Sequence, residues 1–217
     1  MYKLVAIDLD GTMLNSYGIV TENTKHIIRE TIKRGTDVII ASGRTSISFL
    51  KKLSKEIGSE NYFISGNGAS IYDLKNDKVL YNKFVSKSKI LEIIKICEEN
   101  SIFYNVYTEK EIISKSLNYN VLYYYKENQK REENQRTNIN IVENPYEYIK
   151  NMDNENFLKV MICDGDKQIF DSIIRKIKQV ENIEVLDVSH MSRKIIKQGT
   201  LDVEIAYFYT EVSAMGV

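Results

Sequence analysis

Residues 3–12 read KLVAIDLDGT, and this stretch decides the fold. Its apolar run is too short for an ordinary helix and is rich in strand formers, so we predict a buried strand over residues 4–9. Two carboxylates, Asp8 and Asp10, lie at the C-terminal end of this strand, and Gly11 permits a sharp turn close to a ligand. Because ligands of open α/β sheets bind at that edge, paired acids there indicate a catalytic site.

The next segments repeat the alternation of strand and helix. The pattern predicts helices at 21–34 and 46–57 and strands at 37–41 and 62–64. This β-α-β-α-β order predicts a parallel sheet with right-handed crossovers. Small or polar residues follow every strand: Asp8 to Thr12, then Ser42-Gly43-Arg44, then Ser65-Gly66-Asn67. Since parallel strands end at one edge, we expect these residues to form a single pocket.

Beyond about residue 80 the pattern changes to helices interleaved with paired strands. We therefore predict an α/β fold, with a Rossmann-like parallel-sheet core and an inserted α+β cap domain. The predicted core comprises residues 1–83 and 193–217, and the predicted cap comprises residues 84–192.

Composition argues against several partners. The chain of 217 residues has 30 basic and 30 acidic side chains, so no overall positive field favours nucleic acid or anionic membrane. No apolar run approaches a membrane span, and the first residues lack the features of a signal peptide. Cys97 and Cys163 have no metal-binding spacing, so we expect buried, reduced thiols in a cytoplasmic protein.

The residue types at the predicted edge suit phosphoryl transfer. Asp8 is a candidate carboxylate nucleophile that would form an aspartyl-phosphate, which water then hydrolyses. Asp10 is a candidate acid and base for the leaving alcohol and the attacking water. Because a phosphoester dianion is repelled by two carboxylates, we expect Mg²⁺ to be bound between them.

The remaining edge residues suit binding of the phosphoester. Gly11 and Thr12 can offer backbone N–H groups to phosphate oxygens. Ser42 offers a hydroxyl donor, and after Gly43 comes Arg44, whose fork geometry matches phosphate. Asn67 is a candidate for holding a substrate hydroxyl or orienting a pocket group.

Each short motif also has a purely structural interpretation. An Asp-x-Asp segment is often a turn, Ser42-Gly43-Arg44 can be an ordinary strand-to-helix junction, and Asn67-Gly68 is a common turn dipeptide. For Asp164-Gly165-Asp166 we favour a turn followed by a helix N-cap. At the first strand the attached Gly-Thr and the preceding apolar run favour the functional interpretation.

The chain resembles the haloacid dehalogenase superfamily, in particular its Cof-type sugar-phosphatase branch. The resemblance rests on VAIDLDGTML (5–14), VIIASGR (38–44), ISGNGASIYD (64–73), and DVEI (202–205) with EVSAMGV (211–217). It implies a Rossmann-like core with a large cap and Mg²⁺-dependent hydrolysis of small phosphoesters. Asp8 would be nucleophile and metal ligand, and Asp10 acid/base and, through its carbonyl, metal ligand. Ser42 would bind phosphate, while Arg44 and Asn67 would face the substrate.

The sequence departs from the family pattern at one point. After the segment resembling DVEI, the family pattern continues with a phosphate-binding Lys and an acidic Gly-Asp-x-x-Asn-Asp motif, which this sequence does not contain. We therefore expect a C-terminally incomplete member. Three functions stay open: a phosphatase acting on a small phosphorylated metabolite, a catalytically impaired protein that only binds phosphorylated ligands or a partner, and a phosphomutase of the same fold.

Overall fold

The structure is a computed structural model that describes residues 2–15, 18–131, 133, 136–153, 155–186, 191–198 and 200–214. Its internal contacts divide the chain into two compact units, Met1–Lys83 and Phe84–Val217. Within the described ranges, every helix is too short or too polar to cross a bilayer.

The first unit is a five-stranded sheet with two helices. Its elements are β1 (Leu4–Ile7), α1 (Glu22–Lys33), β2 (Asp37–Ala41), α2 (Ile47–Ile57), β3 (Tyr62–Ser65), β4 (Ser70–Asp73) and β5 (Lys78–Asn82). The strands lie in the order β1-β2-β3-β4-β5. The first three are parallel, which confirms the predicted sheet, while β4 and β5 add an antiparallel hairpin that the sequence analysis did not predict.

Both crossover helices begin after a hydroxyl residue that accepts a hydrogen bond from their first turn. The Thr21 hydroxyl accepts a hydrogen bond from the Thr24 N–H at 3.2 Å, and the Ser46 hydroxyl accepts one from the Phe49 N–H at 3.4 Å. Each bond satisfies an N–H that the helix itself leaves unpaired. Gly58 ends α2 in the left-handed conformation, with φ of 81°. These caps fix where each strand meets its helix.

Apolar packing beneath the sheet holds the strand ends in place. Ile40 on β2 and Phe63 on β3 are fully buried in the core formed with α1 and α2. The Phe63 ring stacks on Tyr72 at 5.1 Å between centroids, and the Tyr72 hydroxyl donates to Asp77 at 2.6 Å. The hairpin is thus tied to β3, which carries one of the predicted edge segments.

The described part of the second unit is a larger, mainly antiparallel sheet with four α-helices. Its elements are α3 (Lys87–Glu99), β6 (Phe103–Thr108), β7 (Ile112–Ser114), α4 (Tyr119–Asn128), β8 (Ile139–Ile141), α5 (Pro145–Lys150), β9 (Phe157–Asp164), α6 (Lys167–Ile177), β10 (Ile183–Val185), β11 (Met191–Gln198) and β12 (Leu201–Ala214). The order is β10-β12-β9-β6-β7-β8, with β11 paired to β12. Only β7 and β8 run parallel among these described pairs.

Alternate residues of this sheet face two different environments, as the strand period requires. One set packs in an apolar core with α3 and α6. The other set includes a buried polar network in which Asn105 donates to Asn120 at 3.0 Å and Asn120 donates to the Tyr107 hydroxyl at 2.9 Å. On the same face, the Lys159 ammonium pairs with Glu211 at 2.6 Å. Buried polar groups of this kind require partners.

The assignment of residues 193–217 to the core is wrong. Strand β12 lies in the second sheet, where Glu211 is in register with Met161 of β9 and Val212 with Val185 of β10. Val212 is fully buried in the apolar core of the second unit, which accounts for the placement of this strand. Residues 215–217 of the segment used for the resemblance lie outside the described residues.

Both cysteines are buried and neither forms a disulfide, as predicted. Burial raises the pKa of the Cys97 and Cys163 thiols, so neither forms appreciable thiolate at neutral pH. We expect the native protein to resist iodoacetamide at pH 7.5, whereas the protein unfolded in guanidinium gains two adducts by intact mass. Rapid modification of the native protein would contradict the buried placement.

The acidic segment Asp164-Gly165-Asp166 is a turn and a helix N-cap, as expected. Asp164 accepts from the Asp166 N–H at 2.7 Å, and Asp166 accepts from Gln168 and Ile169 at the start of α6. Both carboxylates therefore serve local backbone groups.

Candidate active site

The first strand ends in a wide turn that presents its polar residues to solvent. The Met13 N–H donates to the Asp8 carbonyl at 3.2 Å and the Leu14 N–H donates to the Leu9 carbonyl at 2.9 Å. Leu9 and Met13 are buried, whereas Asp8, Asp10, Gly11 and Thr12 are exposed. Apolar residues thus anchor the turn in the core while both carboxylates stay accessible.

Gly11 makes this turn possible because its φ is 82°, a conformation that strains residues with a Cβ atom. A Cβ added there meets nothing within 4 Å, so a substitution is opposed by the backbone alone. We expect Gly11→Ala to lower the free energy of unfolding by about 1 kcal/mol. Gly11→Asn is the matched control and should cost less, since Asn tolerates this region.

Urea unfolding followed by far-UV circular dichroism measures the difference between the two variants. If the Gly11→Ala variant is as stable as the Gly11→Asn variant, the left-handed backbone conformation at residue 11 is not the reason that glycine is required there.

The second and third strand ends are joined by backbone hydrogen bonds. The Ser42 N–H donates to the Ile64 carbonyl at 3.0 Å, and the Asn67 N–H donates to the Ser42 carbonyl at 3.2 Å. The Gly66 N–H donates to the Arg44 carbonyl at 3.0 Å. Asn67 has φ of 58°, so its exposed side chain projects from a tight left-handed turn. These bonds place the segment around Asn67 against Ser42-Gly43-Arg44.

The Ser42 side chain is buried and helps to shape its own loop. Its hydroxyl accepts from the Arg44 N–H at 3.2 Å. The hydroxyl proton is not used in this bond, so it can be donated to a ligand oxygen.

Arg44 connects the second strand end to the first. Its Nε donates to Oδ2 of Asp10 at 2.8 Å, and its Nη2 donates to Oδ1 of the same carboxylate at 2.8 Å. The guanidinium carbon also lies 4.8 Å from the centre of the Phe49 ring. The structure therefore brings Asp10, Ser42, Arg44 and Asn67 together, with Asp8, Gly11 and Thr12 on the same turn as Asp10.

The sequence pattern indicates neither the Asp10–Arg44 pair nor the contact of Arg44 with Phe49, and it predicts instead that Arg44 contacts the substrate phosphate. The two charged residues are 34 positions apart, and only the pairing of β1 with β2 brings them close. The sequence signal that could have predicted this ion pair is the position of an acid and an arginine at the ends of two adjacent predicted strands. The direct role of Arg44 toward a substrate stays a prediction.

The fold and these edge residues define a class, the Rossmann-like α/β proteins with an acid-bearing turn after the first strand. The sequence pattern of the haloacid dehalogenase-like hydrolases matches residues 5–201. The protein belongs to that family, which confirms the resemblance.

Individual relatives agree with this membership. The chain is 30% identical over 110 residues to phosphatase YwpJ of Bacillus subtilis (strain 168), covering 51% of this chain and 38% of YwpJ. A haloacid dehalogenase-like hydrolase from B. subtilis has a TM-score of 0.73 at 19% identity, over 98% of this chain and 73% of that one. A HAD subclass IIB sugar phosphatase has a TM-score of 0.67 at 16% identity, over 99% and 70%. At these identities the two solved structures show the fold alone.

The alignments cover only part of the curated relatives. The chain spans 36%, 38% and 60% of the length of three of them.

Proposed function

We propose that this protein is a Mg²⁺-dependent phosphatase of small phosphorylated metabolites, acting through an aspartyl-phosphate on Asp8. The observation that carries the proposal is the position of Asp8 and Asp10 in one exposed turn, joined through Arg44 to the loop that holds Ser42. The family and its phosphatase-named relative YwpJ support the reaction class. The similarity in fold to a sugar phosphatase supports a sugar-phosphate-like substrate.

The reaction is a double displacement at phosphorus. A carboxylate oxygen of Asp8 attacks the phosphorus atom, and the bond to the leaving oxygen breaks while Asp10, protonated at this stage, supplies its proton to that oxygen. Water then attacks the phosphorus of the aspartyl-phosphate and gives a proton to Asp10. Inorganic phosphate leaves, and Asp8 is regenerated as a carboxylate.

Other edge residues would bind the phosphoryl oxygens in both steps. The N–H groups of Gly11 and Thr12 and the Ser42 hydroxyl are donors suited to the negative charge that develops there. Asn67 would contact the remainder of the substrate from its exposed turn.

The donor set suits Mg²⁺ only if water and substrate complete its coordination. Asp8 and Asp10 supply hard oxygen ligands, yet no group of three or more His, Cys, Asp or Glu suited to a metal occurs in the described part of the chain. Mg²⁺ commonly binds through one or two carboxylates with waters and phosphate oxygens. When bound, Mg²⁺ would neutralise charge between the phosphoryl group and the carboxylates.

Two further features belong to the proposal. The balanced charge and the paired acids of the site support a small phosphoester as the partner, in preference to nucleic acid or a membrane. The two buried cysteines, neither of them in a disulfide, support a cytoplasmic location.

Direct detection of the intermediate tests the mechanism. We expect the protein to release phosphate from p-nitrophenyl phosphate with Mg²⁺ and to lose at least about 90% of this activity in EDTA. Borohydride added during turnover should reduce the acyl phosphate and convert residue 8 to homoserine, which peptide mass spectrometry identifies. If phosphate is released but no homoserine forms at residue 8, the reaction does not pass through a covalent intermediate on Asp8.

Analysis of the products separates a phosphatase from a phosphomutase. With glucose 6-phosphate as the test sugar phosphate, a phosphatase releases free glucose and inorganic phosphate in equal amounts. A mutase would instead return the phosphoryl group to another sugar hydroxyl. Phosphate binding with neither reaction would favour a protein that only binds phosphorylated ligands.

A further inference from the structure

Asp10 and Arg44 form a bidentate ion pair between the carboxylate and the guanidinium. Two N–H groups of one guanidinium reach the two oxygens of one carboxylate, each at 2.8 Å. This two-bond geometry is the strongest arrangement for arginine and a carboxylate. In the proposed mechanism, however, an Asp10 oxygen must reach the leaving group and the attacking water. The pair therefore occupies the atoms that the reaction needs.

The head of Arg44 is the part of this contact that can move. Its backbone is fixed on both sides, because its N–H donates to Ser42 and its carbonyl accepts from Gly66. The Asp10 side chain is 54% exposed and that of Arg44 is 21% exposed. Solvent-accessible ion pairs contribute about 0.2–1 kcal/mol, and the two-bond geometry places this pair at the upper end, about 1 kcal/mol. It is weak enough to be exchanged for a better anion.

A phosphoryl group would be that better anion. It carries up to two negative charges and presents three oxygens, and its geometry matches the guanidinium fork as well as a carboxylate does. The donors proposed for phosphate, at Gly11, Thr12 and Ser42, lie on the same two loops as Asp10 and Arg44. A phosphoryl group bound there would lie beside the guanidinium.

We propose that Arg44 is a positioning residue that exchanges partners: it holds Asp10 in the ligand-free protein and transfers to the phosphoryl group on binding. This inference rests on the proposed function and adds a regulatory step to it. The exchange releases both Asp10 oxygens when a substrate is present to use them. Until then, the Phe49 ring and the Asp10 carboxylate keep the guanidinium oriented.

The exchange makes Asp10 a competitor of phosphate for one cation. Phosphate can use Arg44 only in the fraction of protein in which Arg44 is not paired with Asp10. The apparent affinity for phosphate is therefore the intrinsic affinity multiplied by that fraction. Removing the Asp10 charge should therefore tighten phosphate binding in two ways, by ending the competition and by removing repulsion. If residue 44 cannot pair, only the repulsion remains to be removed.

A double-mutant cycle with inorganic phosphate tests the exchange. Dissociation constants are measured by isothermal titration calorimetry in Mg²⁺ for the native chain, Asp10→Asn, Arg44→Gln and the double variant. We expect Asp10→Asn to tighten phosphate binding about fivefold more in the native background than in the Arg44→Gln background. A fivefold difference corresponds to about 1 kcal/mol, the contribution of the Asp10–Arg44 ion pair. Asp8→Asn removes an equal charge from the same turn, and its gain should not depend on residue 44.

The opposite sign would overturn the inference. If the Arg44 guanidinium does not reach bound phosphate even when Asp10 is removed, its only effect is to screen the Asp10 carboxylate. Asp10→Asn then tightens phosphate binding less in the native background than in the Arg44→Gln background. Such a result leaves the proposed function intact. Failure of phosphate to bind all four proteins would instead overturn both proposals.

A spectroscopic measurement follows Arg44 itself. Its ¹⁵N–¹H signal at Nε, assigned from the Arg44→Lys variant, should move when phosphate is added to the native chain. It should reach the position that it takes in phosphate-bound Asp10→Asn, because in both states the guanidinium contacts phosphate. A signal that stays at its ligand-free position while phosphate binds would show that no exchange takes place.

Discussion

Asp8→Asn should abolish hydrolysis of p-nitrophenyl phosphate, with a loss of at least about 10³-fold in kcat, because the amide oxygen cannot replace the carboxylate as nucleophile. The substitution conserves size, and Asp8 is an exposed residue, so the fold should be retained. Steady-state kinetics with Mg²⁺ at saturating substrate measure the effect.

The control for this prediction makes the same chemical change at the other end of the sheet. Asp37 is exposed at the first position of β2, where it accepts a hydrogen bond from Asn61 at 2.8 Å. Asp37→Asn should keep kcat within about twofold, as expected of a surface change away from the site. Activity that survives Asp8→Asn, in protein purified in the same way, would remove Asp8 as the nucleophile.

The second large effect concerns stability. Lys159→Met should lower the free energy of unfolding by about 3 kcal/mol, because it leaves the largely buried Glu211 carboxylate without this cation. The side chains of Lys159 and Glu211 are 5% and 14% exposed, and the ammonium also lies 4.8 Å from the centre of the Tyr107 ring. Urea unfolding followed by circular dichroism gives the change.

Two further variants identify the cause of this loss. Lys159→Met combined with Glu211→Leu should recover most of the stability, since replacing a whole buried ion pair by apolar groups is often neutral or favourable. Lys95→Met changes the same residue type in a pair whose side chains are 68% and 61% exposed. It should cost less than about 0.5 kcal/mol. If Lys159→Met alone is as stable as the double variant, the loss of stability does not come from leaving Glu211 without its cation.

Features set by neighbouring residues could be predicted from the sequence. The N-caps at Thr21 and Ser46 and the turn at Asp164-Gly165-Asp166 depend on atoms within about three positions of each other. The parallel order of β1, β2 and β3 follows from their alternation with helices. These local patterns are therefore enough to predict that all the candidate site residues lie at the strand ends of one sheet.

Features that depend on contacts between residues far apart in the sequence could not be predicted from it. The pattern of β12 indicates a strand but does not indicate whether that strand pairs with β9 or with the first sheet. The stacking of Tyr72 on Phe63 joins β4 to β3, and Arg44 reaches Asp10 only once β1 and β2 are paired. Each of these outcomes depends on three-dimensional packing that local periodicity does not contain.

The placement of β12 has a consequence for connectivity. Within residues 1–217 the two units are successive, and the backbone passes between them at one place, after Lys83. Within this range, each unit corresponds to an uninterrupted run of codons. A stop codon after position 83 or a start codon before position 84 is enough to produce either unit separately, with no artificial linker to close a gap.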